Sequence, residues 1–231
     1  ATMRGVAKSL YNMFDDVEII GFEDGYKGLM YADYQIMTSS DFSGILTQGG
    51  TILGTSRQPF KLMRTPDENG LDKVEAMKHT YKKLKLSCLV VLGGNGSQKT
   101  ANMLSEEGLN VVSLPKTIDN DLALTDHTPG FGSAAKYIAT STKEVIRDAM
   151  GLSYKRKTIT IIECMGRNAG WLTGATALAK TEDCCGPDLI YLPEITFDID
   201  KFLKKCKDLI VKKPSSVIAV SEGIKVPDGR Y

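Results

Sequence analysis

Short, continuous apolar runs alternate along this chain with stretches of helical periodicity, and that alternation limits the fold more than any other feature. Runs such as "CLVVL", "NVVS" and "ITII" mark strands at 18–22, 87–92, 110–114, 158–164, 188–192 and 216–220. Unbroken apolar runs of this length suit strands buried on both faces of a parallel sheet. Between them, Val74, Met77, Tyr81 and Leu84 are spaced at 3, 4 and 3. Phe202, Leu203, Cys206, Leu209 and Ile210 line one side of 199–213, and Ala135, Ile138, Thr142, Val145, Ile146 and Ala149 one side of 132–150. These spacings predict amphipathic helices. Alternating strands and helices predict an α/β architecture with a parallel, Rossmann-like sheet. The stretch "TPGFG" at 128–132 suggests a division into domains 1–131 and 132–231.

Composition removes several function classes. With 29 basic against 28 acidic residues, nothing favours nucleic acid or an anionic membrane as partner, and the apolar runs are too short to span a bilayer. Five cysteines, with Cys184 and Cys185 adjacent and no C-x-x-C pair, fit a reduced, cytoplasmic setting. Cys88 and Cys164 lie within strand-like runs and read as buried thiols.

Ligands of open α/β sheets gather at the carboxyl ends of strands, so the loops there hold the candidates. In "VVLGGNGSQKTA" a strand ends in glycines and a helix begins near Ser97. Free N–H groups and a helix N-terminus suit phosphate. Neither G-x-x-x-x-G-K-[ST] nor G-x-G-x-x-G is satisfied, since Lys99 stands where the last glycine of the dinucleotide fingerprint would fall. A turn that merely needs glycine is the alternative. In "MGRNAGW", Arg167 follows a strand and precedes a helix start, a place for bidentate contact with a phosphoryl group or for a surface ion pair. In "PKTIDND", Asp119 and Asp121 are two apart on a loop. One can take a proton from a hydroxyl while the other holds Mg²⁺, with Lys116 offsetting charge. The structural alternative is an Asx-turn, in which the aspartates only satisfy backbone N–H groups.

Taken together, "GGNGS", "PKTIDND", "MGRNAGW" and "SEG" resemble, in order and separation, the phosphofructokinase family; "DGYKGL" at 24–29 and "GGTILGTSR" at 49–57 do so as well. The resemblance covers essentially the whole chain. It implies the phosphofructokinase fold with two similar α/β domains, a donor-binding one and a sugar-phosphate-binding one. It also implies phosphoryl transfer to the 1-hydroxyl of fructose 6-phosphate, in a homo-oligomer (dimer or tetramer). On this resemblance Asp119 is the base, Thr117 lies by the transferred phosphate, and Asp121 helps hold Mg²⁺. Met165, Gly166 and Arg167 contact the sugar phosphate and the transferring group, and Glu222 binds a sugar hydroxyl. Arg57, Gly94, Gly96, Ser97, Thr100 and Lys116 lie along the phosphate donor, and Tyr26 near a nucleotide.

Three departures qualify the resemblance. Asn95 stands where the family commonly has aspartate, offering Mg²⁺ an uncharged oxygen. Gly96 leaves room for the α-phosphate of ATP, whereas Lys116 resembles the pyrophosphate users; steric exclusion is the harder constraint and favours ATP. The arginine that the family lends across a subunit interface is replaced by Thr158, leaving Lys155, Arg156 and Lys157 as candidate sources of charge. Both ends are expected to fall short of the family: upstream by a first strand and glycine-rich turn, downstream by cationic residues for the sugar phosphate. A non-catalytic sugar-phosphate-binding module is the rival reading from another class, and the failed fingerprint argues against a redox enzyme.

Overall fold

The computed structural model describes residues 1–151 and 156–229; Lys155 lies outside the described residues. The chain divides into two compact units, Ala1–Pro115 and Lys116–Tyr231. The division falls upstream of the boundary expected at 131/132. A bridge between Thr117 and Gly130 ties the intervening loop to the start of the following helix, which places that loop in the second unit.

The first unit runs α1 (Thr2–Met13), β1 (Ile19–Phe22), α2 (Tyr26–Tyr31), β2 (Tyr34–Met37), α3 (Lys73–Lys83), β3 (Leu89–Gly93), α4 (Asn95–Glu106) and β4 (Val111–Pro115). α3 starts where the Asp72 carboxylate accepts hydrogen bonds from the N–H groups of Val74 (3.0 Å) and Glu75 (3.1 Å). It ends with Lys82 and Lys83 in its last turn, where cations suit the helix dipole. Its predicted apolar side buries Val74 and Met77 against Leu104 of α4 and Leu89 of β3. Met77 and Leu104 are fully buried, and each such side chain contributes about 1.5–3 kcal/mol of burial. β3 and β4 pair in parallel, Leu89 against Val111 through Gly93 against Pro115.

An all-parallel sheet is not what forms. β1 pairs antiparallel with β2, Gly21 opposite Gln35. The sequence reading missed β2 because "YQIM" is short and half polar, and three of its four residues are exposed. Antiparallel ribbons tolerate a wet face in a way that parallel sheets do not. Burial on both faces also fails for β3 and β4, where Val90 and Val112 are exposed.

The second unit comprises α5 (Phe131–Gly151), β5 (Thr158–Cys164), α6 (Trp171–Ala175), β6 (Leu189–Tyr191), α7 (Ile199–Lys212) and β7 (Ser215–Ser221). Its parallel sheet has the order β5–β7–β6. Central β7 carries the continuous burial expected, with Val217, Ile218 and Ala219 buried, whereas edge strand β5 exposes Ile161. Ile146 and Ala149 of α5 close the core over Val217. α7 begins where the Asp198 carboxylate accepts from Lys201 N–H (3.0 Å), and Phe202 packs edge-on against Tyr191 at 5.5 Å. Cys164 is buried as expected, while Cys88, just before β3, is half-buried. Among the described residues no helix is long and apolar enough to cross a membrane.

Candidate active site

Each unit assembles part of the expected residue set. In the first unit α4 begins at Asn95, two residues earlier than predicted, so Asn95, Gly96 and Ser97 form its first turn. The residue before it, Gly94, has no side chain to satisfy those N–H groups, so the turn presents bare donors at the positive end of a twelve-residue helix. A Cβ on Gly96 would meet nothing within 4 Å. The fold therefore leaves the space above Gly96 open, and the glycine is not required by packing.

That turn is held from two sides. Gln98 donates to the carbonyls of Gly93 and Leu114, both at 3.0 Å, and accepts from the Ser113 hydroxyl at 2.5 Å. The Tyr26 hydroxyl donates to the Ser97 carbonyl at 2.8 Å, and burial pushes its pKa well up. Tyr26 is thus a brace under the turn. The loop carrying Arg57 is stitched to the same corner: Asp24 N–H donates to Leu53 O (2.8 Å) and the Ser56 hydroxyl to Asp24 O (2.7 Å). Arg57 itself is exposed. Thr100 departs from the role expected of it. It is 1% exposed and its hydroxyl donates back to Gly96 O at 3.3 Å, so it supports the turn from beneath and does not face a ligand.

In the second unit the loop after β4 shows what holds two carboxylates so near each other. Asn120, between them, adopts a left-handed backbone (φ 53°) and is buried. Its amide oxygen accepts from Thr128 N–H (2.9 Å) and the Thr128 hydroxyl (3.2 Å), and its amide nitrogen donates to Asp126 O (3.0 Å). The Thr128 hydroxyl also lies 2.8 Å from Thr117 O. With Asn120 turned inward, the loop is tied by an asparagine and a threonine, and the Asx-turn alternative for the aspartates does not describe it. The Thr117 hydroxyl accepts from Asp119 N–H at 3.2 Å, which leaves its own proton for another acceptor. Lys116 is exposed.

Asp119 is half-buried, and its Oδ1 is buried without a hydrogen-bond partner. Desolvation, reinforced by the charges of Asp121 and Glu222, raises its carboxyl pKa above the usual range. An ionised carboxylate with an unoccupied acceptor and a raised affinity for protons is suited to take one.

Glu222 reaches this place from the end of β7. Its N–H donates to Cys164 O (2.9 Å), and its Oε1 accepts from Gly166 N–H (3.1 Å). The Ser221 hydroxyl donates to Gly166 O (2.9 Å), so the ends of β5 and β7 lock each other. Gly223 packs so tightly under Arg167 that a Cβ there would overlap the Arg167 carbonyl. Gly166 takes a left-handed φ of 111° and brings Met165 and Arg167, both exposed, to the mouth of the β5 end. Glu194, after β6, accepts from Gly170 N–H at 2.6 Å. Phe131 meets the exposed Trp171 edge-on at 6.3 Å.

The second unit therefore gathers Thr117, Asp119, Asp121, Gly166 and Glu222 through hydrogen bonds, mutual charge and sheet register. The first unit gathers Tyr26, Gly94, Asn95, Gly96 and Ser97. Sequence reasoning missed Asn120, Thr128 and Gln98. An asparagine between two loop aspartates is a signal for a left-handed residue, but nothing local points to Thr128.

Comparison with known proteins identifies a family. The phosphofructokinase family profile matches residues 1–230. An ATP-dependent 6-phosphofructokinase of Spirochaeta thermophila is 44% identical over 231 aligned residues, covering 96% of this chain and 59% of that protein. An ATP-dependent 6-phosphofructokinase 3 of Bacteroides thetaiotaomicron is 40% identical, covering 100% and 65%. Among solved structures, a pyrophosphate-dependent phosphofructokinase from Nitrosospira multiformis superposes with a TM-score of 0.81 at 29% identity, covering 99% of this chain and 58% of that one. The chain thus spans about three-fifths of the length of such relatives. Its loops, their order and the profile match lead to one conclusion: this chain belongs to the phosphofructokinase family.

Proposed function

We propose that this chain takes part in transfer of a phosphoryl group from ATP to the 1-hydroxyl of fructose 6-phosphate, giving fructose 1,6-bisphosphate, as a homo-oligomer in the cytoplasm. The observation that carries the reading is the Asp119 carboxylate, with one buried unpartnered oxygen and a raised pKa. Asp119 accepts the proton of the attacking hydroxyl. Thr117 donates its hydroxyl proton to the moving phosphoryl group, Arg167 offsets its charge, and Met165, Gly166 and Glu222 hold the sugar phosphate. In the first unit, the N–H groups of Gly96 and Ser97 take donor phosphates, with Arg57 as a further cation and Gly94 admitting the donor close to the backbone; Lys116, at the start of the second unit, is a further cation for the donor. The work asked of these residues is positioning and charge stabilisation, which dominate phosphoryl transfer.

The family reaction implies Mg²⁺, and the second unit suits it. Asp119 and Asp121 repel each other, a repulsion a cation relieves, and Mg²⁺ commonly uses only one or two carboxylates with substrate phosphates. Asp121 is the carboxylate ligand that the second unit offers. When bound, the cation neutralises charge on the phosphates.

Pyrophosphate is the second reading for the donor, supported by Lys116 and by the pyrophosphate-dependent relative of known structure. The open space above Gly96 supports ATP. The test is a phosphotransfer assay on the protein expressed from its native gene, with fructose 6-phosphate and either ATP or pyrophosphate. Faster turnover with ATP is expected, faster turnover with pyrophosphate reverses the donor assignment, and sugar-phosphate binding without turnover with either leaves a binding module.

A further inference from the structure

We infer that Thr128 is a positioning residue for the base, acting through Asn120, an inference that rests on Asp119 being that base. Thr128 is 2% exposed and Asn120 6%, so neither is placed to meet a substrate. Their polar atoms nonetheless form a closed set of bonds around one loop. The Thr128 hydroxyl faces two acceptors, Thr117 O at 2.8 Å and the Asn120 amide oxygen at 3.2 Å, and Thr128 N–H fills the same amide oxygen at 2.9 Å. The Asn120 amide nitrogen donates to Asp126 O at 3.0 Å.

Through these bonds the backbone before the base and the residue after it are fixed to a single side chain. Thr117 precedes Asp119 by two and also accepts its N–H, while Asn120 follows it directly in a left-handed conformation. The carboxylate between them has no hydrogen bond at its buried oxygen to hold it in place. Its orientation therefore depends on the backbone on either side, and that backbone is held by Thr128. A polar set satisfied in this way is rigid, and loss of the Thr128 hydroxyl takes the donor from the partly buried Thr117 carbonyl. A shift of the order of 1 Å in a reacting group costs up to about 10²-fold in rate.

The test is kinetic. Thr128→Val keeps the side-chain shape and deletes the donor. It is expected to lower kcat by roughly 10- to 100-fold with the KM for fructose 6-phosphate within about twofold of the parent, because sugar contacts come from other elements. Thr128→Ser restores the hydroxyl and is expected to recover most of kcat. Asn120→Gly keeps the left-handed backbone accessible, removes the acceptor, and gives the same kcat loss should the valine variant fail to fold. Asp119→Ala is measured alongside. If it loses less than about fivefold, the base assignment fails. If it is disabled while Thr128→Val keeps the parent kcat, the positioning role is overturned and the base stands. An equal rise in KM, no rescue by serine, or failure of both Thr128→Val and Asn120→Gly to fold also overturns it, leaving a purely structural network.

Discussion

Replacing Asp119 by asparagine separates chemistry from stability, because the two should move in opposite directions. Asparagine matches the shape and cannot accept a proton at neutral pH. A positioned base is worth about 10²–10⁴-fold in rate, or roughly 3–5 kcal/mol of barrier, and kcat should fall within that range. The folded protein, meanwhile, holds the Asp119 carboxylate at a cost: it is partly desolvated, faces Asp121 and Glu222, and leaves one buried oxygen unpartnered. Its folded pKa lies above its unfolded one. Deprotonation thus lowers stability as pH rises through the unfolded pKa, and the penalty is complete above the folded pKa. The Asp119→Asn side chain carries no such charge, so the variant should melt at a higher temperature than the parent at pH 7, and the gap should close as pH falls into the carboxylate range. Calorimetric melting at several pH values, with initial-rate assays at saturating fructose 6-phosphate, reads both effects. A variant that loses activity and melts lower at neutral pH would refute the claim that the site holds this carboxylate against its own stability.

Gly96→Asp should depress turnover with ATP far more than with pyrophosphate while leaving the melting temperature within about 2 °C, since a Cβ there meets no atom and surface substitutions usually cost under about 0.5 kcal/mol; Lys116→Gly should harm pyrophosphate use more, and a Gly96 variant with unchanged ATP rate sinks the steric argument. Gly223→Ala should destabilise the second unit by about 1–3 kcal/mol, the usual penalty of overpacking, because its Cβ would overlap the Arg167 carbonyl; denaturant unfolding with an unchanged midpoint contradicts this. Glu222→Gln removes one of the charges that raise the Asp119 pKa, so the acid limb of kcat/KM, which reports the free enzyme, should move to lower pH; a limb that stays put or moves up assigns it to another group.

Elements that follow one clear period, and the loops that carry chemistry, were legible from the residues alone. α5 and α7 lie within two residues of their predicted bounds and α3 forms around its predicted apolar side, since their apolar faces repeat every three or four residues and α3 and α7 are opened by the capping residues Asp72 and Asp198. The glycine and acidic loops stood out because their residue types are poor choices for helix or strand interiors. The rest depended on what folding brings together. β2 exists because β1 supplies a partner, not because "YQIM" prefers extension. The unit boundary falls at Pro115 because Thr117 and Thr128 bond across a loop that composition cannot close. The raised pKa of Asp119 draws on Glu222, which arrives from the far end of β7 only after β5 and β7 pair in register, Cys164 beside Ser221. Local propensity acts over a few residues, whereas burial and charge act across whatever the fold makes adjacent, and the environment of this carboxylate is set by the second.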